Sequence, residues 1–169
     1  MSESTIAFNA RAIFTWSADR VYRVYVQDDA LYFIRIGGQG LGTALGAGFG
    51  MVGALVGQTL EERAAVKRGA KLAAQDVEGP QSLLDRHKDN FRVLPGDAQS
   101  SSIEPPATFP GHGPQVGRWL LALRDKKLTL EFPEMVDMEV ALAHLPRFFG
   151  ERLQVNVRWD EHKKRYQKP

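Results

Sequence analysis

"VYRVYVQDDALYFIRI", residues 21–36, is the stretch on which the fold turns. Tyr22, Val24 and Val26 alternate with Arg23, Tyr25 and Gln27, which is the period of a half-buried strand. "QDDA" interrupts the pattern as a tight turn, and "LYFIRI" resumes it with β-branched and aromatic residues. Together with the preceding "AIFTWSADR", this gives two or three strands from about Ala12 to Ile36.

The next segment, "GGQGLGTALGAGFGMVGALVGQTL" (residues 37–60), carries no charge. Gly48, Gly50 and Gly53 satisfy G-x-G-x-x-G, but a dinucleotide site needs a strand directly before it and an acidic residue about twenty positions on. Here glycine and alanine precede it and a charged helix follows. "GALVGQT" also lacks the lysine of a P-loop. The periodicity says more. Leu41, Leu45, Phe49, Val52 and Val56 keep one face of a helix, and Gly38, Gly42, Gly46, Gly50, Gly53 and Gly57 keep the adjoining one. Glycine costs about 1 kcal/mol in a helix interior, so such a stripe calls for close backbone contact. The preferred reading is a glycine-zipper helix over 38–60 that packs on another helix, from this chain or from a second copy. The rival reading is a membrane span over 36–60, close to the ~20 residues a span requires. Strands on both sides of the run oppose it, because one sheet cannot be built across a bilayer.

"EERAAVKRGAKLAAQDVEGP" then reads as a charged helix over 61–78, with Val66, Ala70, Ala73 and Val77 at helical spacing and Gly79-Pro80 as its stop. "PQSLLDRHKDN" is a short helix with proline in its first turn. Residues 95–114 read as a loop with a short strand around Ile103. "VGRWLLALRDKKLTLEF" is a hairpin turning near Asp125, Lys126 and Lys127. Period two puts Trp119, Leu121, Leu130, Val155 and Val157 in the core and Arg118, Arg124 and Asp160 in solvent. A helix runs from about Glu134 to Phe149, with Val136, Val140, Ala143 and Phe148 available to a core and Pro146 able to bend or end it. "RLQVNVRWD" is a strand, and residues 161–169 form a basic tail.

This order resembles the bacterial pleckstrin-homology and GRAM-like domains. The residues that carry the resemblance are "VYRVYVQDDALYFIRI", "IEPP", "GRWLLALRDKKLTLEF" and "MEVALAHLPRFF", within roughly Ala12–Ile36 and Ile103–Phe149. It implies an α+β fold: a bent, mostly antiparallel sheet or barrel with a C-terminal plug helix, here carrying a helical insertion over 37–79. The insertion and the strand after the plug helix depart from the pattern. Lipid-binding members place a basic cluster in the first hairpin loop. "WSADRVYR" offers Arg20 and Arg23 with Asp19 beside them, a second departure.

The 169 residues fit one domain, and the 43% hydrophobic and 25% charged fractions are those of an ordinary globular chain. A formal charge of +2 gives no reason to expect nucleic acid. Without cysteine there are no disulfides, thiolate metal sites or cysteine nucleophiles. "MSESTIAFNA" has no basic and apolar signal pattern, so a cytoplasmic protein, with peripheral membrane contact open, is the expectation. His87, His112, His144 and His162 show no metal spacing, and no nucleophile elbow, zincin or kinase signature occurs. No catalytic, cofactor or metal residue is nominated. The expectation is a non-enzymatic binding or assembly module acting through the glycine stripe. Its candidate surface-binding cations toward an anionic membrane are Arg20, Arg23, Lys163, Lys164 and Arg165. A membrane-anchored protein and an enzyme whose site forms only in the fold are the alternatives.

Overall fold

The chain folds as two antiparallel meanders joined edge to edge, as seen in a computed structural model that describes residues 5–37, 60–108 and 115–169. Strands β1 (Ala7–Ile13), β2 (Arg20–Val26), β3 (Leu31–Gly37) and β4 (Phe91–Val93) form the first meander. Strands β5 (Ala98–Glu104), β6 (Gly117–Leu123) and β7 (Lys127–Phe132) form the second. Pairing of β1 with β7 fuses them, and β8 (Leu153–Val155) adds in parallel to β5. The order β4-β3-β2-β1-β7-β6-β5-β8 makes one curled, mostly antiparallel sheet, a half-barrel. The class is α+β.

Alternation decides what fills it. Phe8, Ala10 and Ala12 of β1 point inward beside Tyr22, Val24, Phe33, Trp119, Leu121, Leu130 and Phe132. Trp119 stacks on Phe33 at 5.7 Å, and its indole N–H donates to Ser101 Oγ at 2.8 Å, so the buried donor is satisfied. Helix α3 (Met135–Phe149) closes the concave side with Met138, Ala141, Leu145 and Phe149.

Several expectations change here. The first strand begins at Ala7, ahead of Ala12, in a segment where alanine, Asn9 and Arg11 give little β signal. Tyr25 is buried although alternation turns it away from the main core. A second cluster of Tyr25, Ala30, Tyr32 and Ile34 lies on the convex face under Leu83 of α2 (Pro80–Leu84), so β2 and β3 are covered on both sides. In the charged helix α1 (Leu60–Glu78), Val66, Ala70, Ala73 and Val77 are exposed, Val66 to 69% and Val77 to 89%. Its side toward the sheet presents Gly69, Leu72 and Asp76.

On α3, Val136 is 57% exposed and Ala143 is also exposed, while Val140 and Phe148 are half-buried. Apolar residues surround this helix, so its period fits more than one face. The half-barrel takes the face with Met138, Leu145 and Phe149. Pro146 neither ends the helix nor is buried.

The expected last strand is broken. Asn156 N–H turns back to the Ile103 carbonyl at 2.8 Å, after which β9 (Arg158–Asp160) and β10 (Arg165–Gln167) pair as a separate hairpin. Val155 is consequently exposed, and Val157, Arg118 and Asp160 are half-buried. Within residues 95–114, β5 is a full seven-residue strand whose serines give no hydrophobic alternation.

Candidate functional site

One end of the half-barrel gathers six chain segments. Ala12 pairs with Arg20, Val21 with Gly37, Ile13 with Thr129, and Ala122 with Lys127, so the ends of β1, β3 and β6 and the starts of β2 and β7 share this rim. Arg35 brings in the approach to β4: its backbone N–H donates to Asn90 Oδ1 at 2.8 Å, and its guanidinium meets Asp89 at 2.6 Å.

The β1–β2 loop projects from the rim, and Trp16 on it is 96% exposed. Around it the basic side chains are held by short-range contacts. Arg20 lies 4.8 Å over the Phe14 ring and 3.5 Å from Asp89. Lys126 Nζ sits 3.5 Å over the Phe91 ring, at the mouth of the aromatic core. Desolvation, reinforced by nearby Arg20, holds the Lys126 ammonium below its ordinary pKa, with Asp125 opposing. Arg20 and Arg35 both pair with Asp89, and Lys126 lies close enough to Arg20 to feel its charge. The arrangement is an exposed indole beside a cluster of basic side chains.

No family model matches the chain, nor does any curated protein or any solved structure.

The candidate cations named from sequence do not converge. Arg20 is on the rim, but Arg23 points to the convex face, where its Nη2 meets Asp76 of α1 at 2.7 Å and its Nη1 donates to Asn9 Oδ1 at 3.2 Å. Lys163, Lys164 and Arg165 lie in the β9–β10 hairpin at the opposite end, because β8 runs parallel to β5 and leaves it beside Ile103. Asp160 Oδ1 orders that turn by accepting the His162 and Lys163 N–H groups, each at 2.9 Å, and Lys164 pairs with Glu161. These backbone bonds, the Lys163 one first, hold the Asp160 carboxyl below its ordinary pKa.

The glycine stripe from Gly38 to Gly57, its apolar partners from Leu41 to Val56, and His112 lie outside the described residues. His87 sits near the rim, 3.7 Å from Asp89. Among the described residues there is no metal-ligating cluster of three or more acidic or histidine side chains. Among them too, no helix is long and apolar enough to cross a membrane.

Sequence reasoning missed Lys126 and Arg35 as neighbours of Arg20. The hairpin turn "DKK" was visible, but its proximity to the β1–β2 loop follows only from the β1–β7 pairing.

Sequence reasoning also passed over a polar constellation on the convex face. Asp137, in the first turn of α3, is 5% exposed and accepts the Asn9 backbone N–H at 2.7 Å. Burial pushes its carboxyl up to about 6, helped by Glu134 and opposed by the Asn9 and Glu134 backbone and by Arg23. Deeper along β1, Arg11 Nε donates to Glu131 at 3.1 Å in a buried ion pair that Gln115 completes at 2.9 Å.

Proposed function

We propose that this chain is a non-enzymatic binding module of pleckstrin-homology or GRAM-like type that meets an anionic lipid surface through the Trp16 rim. The carrying observation is the 96% exposed indole at the tip of a loop whose base is basic. At a bilayer surface the amphipathic ring of a tryptophan sits at headgroup level, partly out of water. Full burial of a large apolar side chain stabilises by about 1.5–3 kcal/mol. Each lysine or arginine near an anionic leaflet adds about 1 kcal/mol. Strand β3 ends at this rim, at Gly37, and in the sequence the uncharged run continues from there. The order of the two meanders and the helix closing them supports the family resemblance.

Co-sedimentation with vesicles tests the reading. Binding is expected to vesicles containing phosphatidylserine and to be weak on phosphatidylcholine alone. Trp16→Ala should weaken it about tenfold or more, and added salt should weaken it further. Equal binding by wild type and Trp16→Ala would refute the assignment.

Self-association through the glycine stripe is the second reading. It is favoured by the steps of four, four, three and four between Leu41, Leu45, Phe49, Val52 and Val56. Sedimentation of the wild-type chain tests it.

A further inference from the structure

Helix α1 is attached to the sheet in an unusual way. A surface helix ordinarily docks through its apolar stripe, yet Val66, Ala70 and Val77 are turned to solvent. Beneath the helix, Gly69, Leu72, Ala73 and Asp76 bound a cavity of about 320 Å³, shared with Asn9, Arg23 and the start of α3. Among the described side chains of α1, the specific contacts lie in the last turn. Asp76 receives the Arg23 guanidinium through both oxygens, at 2.8 and 2.7 Å, and the Tyr25 hydroxyl at 2.8 Å. Its backbone carbonyl accepts from Thr5 at 3.2 Å.

Three residues on, Gly79 has φ +88, a conformation that glycine adopts without strain. Beyond it, α2 is anchored by buried Pro80 and Leu83. Among the described residues, the polar contacts of α1 with the sheet converge on Asp76, three residues before Gly79 and the anchored α2.

We infer that α1 is a releasable strap: opening of the Asp76–Arg23–Tyr25 clamp swings it about Gly79 and uncovers Arg23, Asn9 and the cavity floor. The clamp residues suit a reversible latch. Burial opposes the charge on Asp76, but the bonds from Arg23 and Tyr25 outweigh it and hold the carboxyl below its ordinary pKa. A bidentate guanidinium–carboxylate pair fixes orientation as well as distance. This device lies on the convex face and does not depend on the lipid-facing rim.

Hydrogen exchange read by mass spectrometry tests the strap in the full chain. Asp76→Ala should speed exchange in peptides covering residues 66–78 by about tenfold or more, with peptides covering 119–131 unchanged. Tyr25→Phe removes one bond and should give a smaller acceleration confined to the same peptides. Val77→Lys, on the outward stripe, should change nothing. The inference is overturned by any of four results: residues 66–78 unprotected in the wild type, unchanged in Asp76→Ala, accelerated together with 119–131, or loosened by Val77→Lys as much as by Asp76→Ala.

Discussion

Replacing Asp137 with asparagine should change the pH dependence of stability in a window set by burial. The Asp137 carboxyl is raised from 3.8 to about 6 in the fold, burial being the main cause. An acid with a raised folded value holds its proton more tightly when folded, so the native state binds more protons than the unfolded one between these values. Stability then falls as pH rises from 3.8 through about 6, and recovers on acidification. The shift is about two units, and at 1.36 kcal/mol per unit the effect reaches about 3 kcal/mol. Asparagine keeps an acceptor for the Asn9 N–H, which lies 2.7 Å from Oδ1, and removes the charge. The advantage of the variant over wild type should therefore grow by about 2 kcal/mol from pH 4 to pH 7. Glu134, also raised by burial, slopes the same way but is present in both chains and cancels in the difference. Asp76 acts only below 3.8, because its folded value is lowered and its contribution is lost as pH falls through it. Urea unfolding at half-unit steps from pH 4 to pH 7 measures the difference. Parallel profiles for the two chains would refute the claim that burial raises the Asp137 carboxyl.

Three other outcomes are expected. Gly117→Ala should destabilise by about 1–3 kcal/mol in thermal or urea unfolding, since a Cβ there would lie 2.5 Å from Met138 Sδ and 3.2 Å from the Glu104 carbonyl oxygen. Ser101→Ala should cost about 1–3 kcal/mol in the same assays by leaving the buried Trp119 indole N–H without its acceptor. If the glycine stripe packs as proposed, Gly46→Leu or Gly50→Leu should lower stability or disrupt assembly by sedimentation, because overpacking costs about 1–3 kcal/mol against the roughly 1 kcal/mol gained in helix propensity.

Local pattern alone determined much of the secondary structure. The Val21–Ile36 hairpin, the hairpin around Asp125–Lys127 with Trp119, Leu121 and Leu130 inside, and the helix ending at Phe149 all follow from periods of two and 3.6 and from turn residues. The faces of the helices did not follow. A period marks an apolar stripe but not what it meets, so the stripe from Val66 to Val77 turned outward and α3 chose Met138 over Val136. Tyr25 escaped the alternation rule because a second layer covers β2 and β3 from behind, and that layer lies more than fifty residues away in sequence. The polar joints were equally invisible: Asp76 meets Arg23 across 53 positions, Glu131 meets Arg11 across 120, and Asp137 meets Asn9 across 128. Each partner read singly is an ordinary surface residue. Only the closure of β1 on β7 and the docking of α1 and α3 bring these groups out of water and within reach, and desolvation then gives their charges structural weight.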